Sequence, residues 1–327
     1  MKRLTALLLF ICILTMTSCS KNISQETVAL KISGAKISEN LFSLFLSDIL
    51  QNKEDYSLND SSKKSDIINC AENLCLEYVA VNSLFEEENL QLLSEYKYQI
   101  VNNVSTKWDF YKNFYEAVGI DKQALTKHET YEAKKEMLLL HFYGKNGKMA
   151  VSDDVLKAYW TENYVTFKSI NGYLTKVLDD GTVSRLSADE ITAIENKFKV
   201  MCDDLQTGST IEDICTQNAN NPLVASTQAD TVTINRFSNS YPSEFFSAVQ
   251  NMSHLIPAVI ETADYIFLVQ KQSDENGAIF EEYRTECLKS VCSESFSSLL
   301  KNTEASYKTN KDSSVIDNAY KTVSDKF

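Results

Sequence analysis

The positions of the prolines divide this chain into two long flanks and a central segment. All three prolines, Pro222, Pro242 and Pro257, fall between Thr166 and Gln272. Because proline breaks the interior of a helix, the proline-free flanks can form long helices, and a content of only 8 glycines favours them further. The sequence therefore predicts an α+β protein, with a mostly helical domain built from both ends of the chain and an α/β module inserted between them.

The first residues predict an exported protein that is held at a membrane by a lipid. Lys2-Arg3 precedes an apolar run that is too short to span a bilayer, which takes roughly 20 residues. The run ends in Met16-Thr17-Ser18-Cys19, which resembles the bacterial lipoprotein signal, whose cysteine is lipidated and becomes the first residue. The alternative is an ordinary secretory signal with a chance cysteine. We expect residues 1–18 to be removed and Cys19 to anchor the chain on the extracytoplasmic face of the cell membrane.

The charge and the scattered reactive residues exclude several classes of function. A net charge of −13 argues against nucleic acid as a partner, since phosphate binding needs a basic surface. It suits an exported protein that must stay soluble or that meets basic clients. The cysteines form no CxxC pair, the histidines are scattered, and no phosphate loop is present. We therefore expect no metal and no cofactor, and buried free thiols for most cysteines, although Cys202 and Cys215 could bridge two helices.

Local patterns predict how the helical domain closes on itself. Thr27–Ser33 alternates as a strand does, and Ser38 is a natural N-cap for the helix that follows. A strand-like piece near the other end, Ser314-Val315-Ile316, could pair with Thr27–Ser33 and join the two ends of the mature chain. The helical patterns of this domain are Ser65–Leu90, Ser94–Val118, Asp121–Tyr143 and about Phe280–Ser306. The aromatic residues of the second pattern favour helix core, with an exposed groove as the alternative.

The central module reads as a mixed sequence of strands and helices. The predicted order is strand (Phe167–Leu178), helix (Ala188–Leu205), helix (Ile211–Asn218), strand (Thr231–Phe237), helix (Ser243–Asn251) and strand (Tyr265–Gln270). The whole chain divides into a signal peptide (1–18), a helical chaperone-like domain (19–150), a linker helix (151–165), the module (166–272) and a segment returning to the first domain (273–327).

This order resembles the PrsA/SurA-type foldases, in which helical parts form a chaperone domain around a parvulin-type prolyl isomerase module. The early strand and capped helix (Val28–Leu44) and the linker helix (Val151–Tyr164) carry the resemblance. Within the module, the segment from Phe237 to Phe246 resembles the family's Phe-Ser…Pro-Glu-Phe stretch. The resemblance implies that the partners are unfolded or newly exported polypeptides, and it leaves the oligomeric state open.

The resemblance also implies where a prolyl isomerase site would lie. Parvulins place two histidines, with an acid or a cysteine, beside a pocket for the proline ring. The corresponding positions here are Tyr173, Ile266 and about Thr233, and neither strand contains a histidine. Phe237 and Phe245 could line a proline pocket or belong to the core. Tyr173 could donate a hydrogen bond to a bound peptide carbonyl. The module is therefore predicted to keep the parvulin-type fold with a degenerate active site.

Three functional hypotheses follow. The first is a membrane-anchored chaperone or foldase without strong isomerase activity. The second is an active peptidyl-prolyl isomerase with an unusual site, since a rotation barrier of about 18–20 kcal/mol can be lowered by groups that favour the twisted amide. The third is a lipoprotein that binds a small solute or has a structural role.

Overall fold

The structure is a computed structural model that describes residues 26–225 and 230–327. The predicted signal peptide and Cys19 lie outside these residues. The chain divides into two compact units: the first ends at Met149 and resumes with Cys292–Phe327, and the second is Ala150–Val291. The predicted α+β class is confirmed by long helices that accompany small antiparallel sheets.

The bounds of the elements are as follows. The described helices are α1 (Glu39–Gln51), α2 (Lys64–Glu87), α3 (Ser94–Ala117), α4 (Lys122–Tyr143), α5 (Asp153–Asn163), α6 (Ala188–Gln206), α7 (Ile211–Gln217), α8 (Ser243–Gln250), α9 (Ala278–Glu304) and α10 (Ser313–Ser324), with a 3-10 helix over Lys53–Tyr56. The described strands are β1 (Val28–Ile32), β2 (Ala35–Ser38), β3 (Tyr164–Tyr173), β4 (Thr175–Val177), β5 (Val183–Arg185), β6 (Val232–Asn235), β7 (Pro257–Glu261), β8 (Tyr265–Lys271) and β9 (Thr309–Lys311).

The first unit contains a three-stranded antiparallel sheet in the order β2-β1-β9. The pairing of the two chain ends takes place, but through a different segment than predicted. Thr309 pairs with Ile32, whereas Ser314-Val315-Ile316 lies in α10, so the strand assignment of that piece is wrong. The reason is a cap: the Asp312 carboxylate accepts the backbone N–H groups of Ser314 and Val315, which starts a helix there.

Helices α1, α2, α4 and α10 form the core of the first unit. As predicted, the Ser38 hydroxyl caps α1, accepting the Leu41 N–H at 3.3 Å. Phe42 and Phe45 on α1 and Tyr131 on α4 are among its largest fully buried side chains. Helix α3 is different. Although it spans 24 residues, its buried residues are only Ile100 and Val104.

The second unit is organised around a four-stranded antiparallel sheet in the order β6-β3-β8-β7. One face of β3 packs on α8 through Phe167, while the other packs on α6 and α7 through Ile170. Gly172 permits this second contact. A Cβ atom there would come within 2.7 Å of the Leu223 carbonyl oxygen and 3.0 Å of the Phe198 ring.

The first strand of the module is shorter than predicted. The expected strand Phe167–Leu178 divides at Leu174, whose side chain is fully buried and whose N–H donates to the Asp264 carbonyl at 2.8 Å. The chain then continues as β4, which pairs only with β5. Residues 273–291, assigned from the sequence to the segment returning to the first domain, belong to the second unit.

The cysteines and the helix lengths complete the description. The six cysteines in the described part of the chain are free thiols, and Cys202 and Cys215 form no bridge. Burial raises the pKa of the Cys287 thiol to about 11, so this thiol stays protonated and unreactive. Among residues 26–225 and 230–327, no helix has both the length and the apolar character that crossing a membrane requires.

Candidate functional site

A cleft of about 590 Å³ opens on the α8 side of the four-stranded sheet. Side chains of β3 alternate between the two faces, so Phe167, Ser169 and Asn171 all point to this side. Tyr265 and Phe267 on the neighbouring β8 point the same way. The cleft is lined by Ser169, Asn171, Asp230, Val232, Asn239, Ser240, Tyr241, Pro242, Tyr265 and Phe267.

The base of the cleft is a cluster of aromatic rings. The ring of Phe245, a fully buried residue of α8, stacks on Tyr241 with centroids 4.7 Å apart. It also lies 4.5 Å from Phe267 and 5.1 Å from Phe167. These contacts fix the positions of Tyr241 and Phe267, which form apolar walls of a size suited to a proline ring or another small apolar side chain.

The polar side of the cleft is formed by hydroxyl and amide groups. Burial raises the pKa of the Tyr241 hydroxyl, and a hydrogen bond with Ser169 partly offsets that rise, so Tyr241 stays protonated at neutral pH. Among the described residues that line the cleft, Asp230 is the only carboxylate, and neither an imidazole nor a thiol is present. The hydroxyl and amide groups of this lining can hold a peptide backbone by hydrogen bonds.

Two of the five residues proposed from the sequence contact the walls of this cleft. Phe245 supports it from below, as part of the core. Tyr173 is 53% exposed, and its ring lies 5.6 Å from that of Tyr265, directly opposite in the strand pairing. Tyr173 therefore stands beside the cleft rather than inside it.

The structure does not bring the other three residues to the cleft. Ile266 is buried on the opposite face of the sheet, in the cluster with Ile170. Thr233 also points away from α8, since its hydroxyl is 2.9 Å from that of Thr166, while Val232 lines the cleft instead. Phe237 follows β6 and is 73% exposed.

Patterns in the sequence could have predicted several of the cleft residues that sequence reasoning missed. Once Phe167 is taken as inward-facing, the alternation of a strand places Ser169 and Asn171 on the same face. In the observed register Tyr173 pairs with Tyr265 rather than with Ile266, and it shares a face with Tyr265 because paired residues of antiparallel strands do so. Tyr241 carried a weaker signal, as the residue that precedes Pro242 at the start of α8.

The first unit carries a second candidate site, an exposed aromatic surface at the carboxyl end of α3. We define this aromatic surface by six rings in mutual contact. They are Trp108, Phe110, Tyr111, Phe114, Tyr115 and the C-terminal Phe327. Phe110 is 79% exposed and Tyr111 58% exposed. The sequence favoured helix core for this aromatic stripe. The structure leaves Phe110 and Tyr111 exposed, while Trp108, Phe114 and Tyr115 are half-buried.

The two candidate sites differ in what they can bind. The aromatic surface offers broad apolar contact with no enclosing walls, which suits extended polypeptide segments of varied sequence. The cleft is narrower, and its polar side chains can orient a single residue and its neighbours. In the described part of the chain, no group of His, Cys, Asp and Glu residues is arranged to hold a metal ion.

Comparison with known proteins gives results only at the level of structure. No known protein-family profile matches the sequence, and no curated protein matches it. The solved structures that it resembles include PrsA foldase proteins. The foldase from Streptococcus pneumoniae is 12% identical, with 90% of this chain and 91% of that chain covered and a TM-score of 0.35.

Two further matches are foldases from other bacteria. PrsA from Lactococcus lactis is 14% identical, with 91% of this chain and 99% of that chain covered and a TM-score of 0.38. PrsA from Bacillus subtilis is 15% identical, with 80% of this chain and 86% of that chain covered and a TM-score of 0.29.

Proposed function

We propose that this chain is a lipid-anchored chaperone of the extracytoplasmic face that binds unfolded exported polypeptides. In this proposal the aromatic surface of α3 holds the client, and the cleft of the second unit binds proline-containing segments without strong isomerase catalysis. Cys19 supplies the anchor to the membrane.

The observation that carries the proposal is the exposure of the aromatic surface. Large apolar side chains left in water are unfavourable, at about 25 cal/mol per Å² of apolar area, so a contiguous exposed cluster of them points to a binding function. Unfolded clients expose apolar side chains in many different sequences. Flat aromatic rings accept these with little loss of side-chain entropy, because each has only two rotatable bonds.

The composition of the cleft supports binding rather than strong catalysis. Catalysis of X–Pro rotation requires polar groups that interact better with the twisted amide than with the planar one. Ser169 and Asn171 can hydrogen-bond a bound peptide, but among the described lining residues Asp230 and the tyrosine hydroxyls are the only ionisable groups beside them. The second candidate function, an active isomerase, is favoured by the apolar walls of Tyr241 and Phe267, which fit a proline ring.

The test compares two pairs of exposed aromatic residues. We expect Phe110→Ser/Tyr111→Ser to weaken the suppression of client aggregation about 10-fold or more, since each ring contributes roughly 1.5 kcal/mol or more when it is buried against a client. The matched control is Phe237→Ser/Val183→Ser, because these apolar side chains have similar exposure and lie outside both candidate sites. Equal loss of activity in both variants would contradict the assignment of α3 as the client surface.

A second assay on the same proteins separates the two candidate functions. We expect no acceleration of a refolding reaction that is limited by a proline. Acceleration that disappears in Asn171→Ala or Tyr241→Ala would establish isomerase catalysis in the cleft, and would show that an amide can replace the imidazoles of the parvulin family.

A further inference from the structure

The exposed face of the sheet β2-β1-β9 carries lysines that the fold itself does not require. Lys31 on β1 lies directly opposite Lys36 on β2, and both are exposed. Like charges at directly opposite positions destabilise an antiparallel pair. The sheet is held instead by its other face, where Leu30, Ile32 and Ile37 are buried.

A third lysine lies next to this pair. The Ser33 N–H donates to the Lys308 carbonyl at 2.9 Å, and the Lys308 N–H donates to the Ser33 hydroxyl at 3.2 Å. The side chain of Lys308 is exposed. Within the described residues, no ion pair joins Lys31, Lys36 or Lys308 to a carboxylate, although the charge of Lys36 helps to lower the pKa of Glu26 from a distance. We call these three residues the lysine face.

Lys31 and Lys36 also line a surface depression of about 680 Å³. The acidic residues in its lining are already engaged. Glu26 accepts from the Lys127 ammonium at 2.7 Å, and the Asp312 carboxylate accepts the N–H groups that cap α10. Lys311, the third lysine of the lining, is paired with Glu72 at 2.9 Å. The N–H groups that Asp312 accepts are neutral, so its charge remains, but Lys31 and Lys36 outnumber it. The depression therefore keeps a net positive charge, in a chain whose net charge is −13.

The position of the lysine face in the chain identifies its partner. The described structure begins at Glu26, and residues 20–25 connect it to the proposed anchor at Cys19. A tether of this length reaches at most about 25 Å. The strand that carries Lys31 thus begins within one tether length of the lipid headgroups.

We propose that the lysine face docks on the anionic phosphate headgroups of the membrane to which the chain is tethered. This proposal rests on the lipid anchor of the proposed function. An anionic surface attracts these lysines, while it repels the predominantly acidic remainder of the chain. The two effects together fix which side of the first unit faces the membrane.

Lysine acylation on vesicles tests the proposal with the lipid-anchored full chain. We expect Lys31 and Lys36 to react at least about five-fold more slowly on phosphatidylglycerol vesicles than on phosphatidylcholine vesicles, as one lysine–headgroup interaction would give. Lys97 and Lys145, which are exposed lysines of the same unit without ion-pair partners among the described residues, are the internal controls. Equal acylation rates of Lys31 and Lys36 on the two kinds of vesicle would overturn the proposal.

Charge variants provide a measurement that does not depend on the anchor. In the mature chain with Cys19→Ala, we expect Lys31→Ala/Lys36→Ala to lower partitioning onto phosphatidylglycerol vesicles by roughly 25-fold. Lys97→Ala/Lys145→Ala, which removes the same charge, is expected to leave it unchanged. Equal effects of the two double variants would overturn docking by this face.

The same assays separate three hypotheses: membrane docking by the lysine face, lipid anchoring at Cys19, and binding of free phosphate by the lysines. If the wild-type chain carries no lipid at Cys19, the proposed anchor is refuted. If the unlipidated chain still shows the effect of Lys31→Ala/Lys36→Ala on vesicle binding, docking by the lysine face is nevertheless supported. Displacement by millimolar inorganic phosphate at constant ionic strength would show a site for free phosphate, and would overturn docking on a lipid surface.

Discussion

The Glu129 carboxylate holds α3 against α4. It accepts hydrogen bonds from the Lys107 ammonium at 2.6 Å and from the Asn103 amide at 3.0 Å, both of which belong to α3. Burial by itself raises the pKa of this carboxyl. The hydrogen bonds from His128, Lys107 and Asn103 outweigh burial and lower the pKa to about 2. Glu129 thus adds a charged attachment to the hydrogen bond from the Tyr96 hydroxyl to Glu136 at 2.8 Å and to the two buried residues of this helix.

This arrangement predicts how stability depends on pH. Because the folded-state pKa of Glu129 lies below its usual value of 4.5, its contribution to the free energy of unfolding is complete above pH 4.5 and is lost as the pH falls towards 2. We expect Glu129→Gln to cost on the order of 2 kcal/mol at neutral pH and to flatten this acid dependence. Denaturant titrations at several pH values measure both effects. An unchanged acid slope in the variant would contradict the role given to Glu129.

Phe245 and Phe237 provide a second prediction at the scale of single residues. Both were candidate pocket residues from the sequence, but Phe245 is fully buried and Phe237 is 73% exposed. We expect Phe245→Ala to lower the free energy of unfolding by about 3–4 kcal/mol, because it leaves a cavity beneath the cleft. Phe237→Ala should change it by less than about 0.5 kcal/mol. Chemical denaturation of the two variants measures both changes. Similar losses in the free energy of unfolding would contradict this prediction and show that Phe237 is packed.

The positions of single side chains were the part of the site least accessible to sequence reasoning. The resemblance to parvulins indicated the correct strands, since Tyr173 lies on β3 and Ile266 on β8. It could not fix the register between them, and a shift of one residue moves a side chain to the other face of a sheet. Ile266 was therefore assigned to the cleft, although Tyr265 occupies that face.

At the scale of elements, β9 and α10 complete the first unit from the far end of the chain. Strand β9 pairs with β1, and α10 buries Ile316, Ala319 and Val323. We expect a chain that ends at Glu304 to lose the protease resistance of the first unit, because β1 loses a neighbour and the apolar faces of α1 and α10 lose each other. Limited proteolysis followed by mass spectrometry locates the loss. The control is a chain that ends at Ser324, which keeps both elements and should remain resistant.

Most helices could be placed from the sequence, because caps and apolar periodicity are local signals. Ser38 caps its helix as predicted, and the predicted and observed ends of α6 differ by one residue. The short strands were harder to place. Three residues pair as β9, and their pairing depends on β1, more than 270 positions away along the chain, so no local pattern marks them.

At the scale of the whole molecule, the distribution of charge predicts a preference among clients. In the second unit, acidic residues outnumber basic ones about two to one. We expect the chain to capture basic unfolded clients faster than acidic clients of similar hydrophobicity at low ionic strength, and the difference to shrink as salt is added. Stopped-flow fluorescence at several salt concentrations measures the association rates of the basic and acidic clients. A preference that salt leaves unchanged would assign it to apolar contacts instead.

The contribution of both chain ends to one unit has a consequence for how the protein matures. The second unit is continuous in sequence, so it can fold as soon as its last residue is available. The first unit cannot complete its fold until β9 and α10 have been synthesised, because the sheet requires β9 to pair with β1. Helix α3, the proposed client surface, is therefore made early and completed late, and the nascent chain passes through a stage in which its own first unit is incompletely folded.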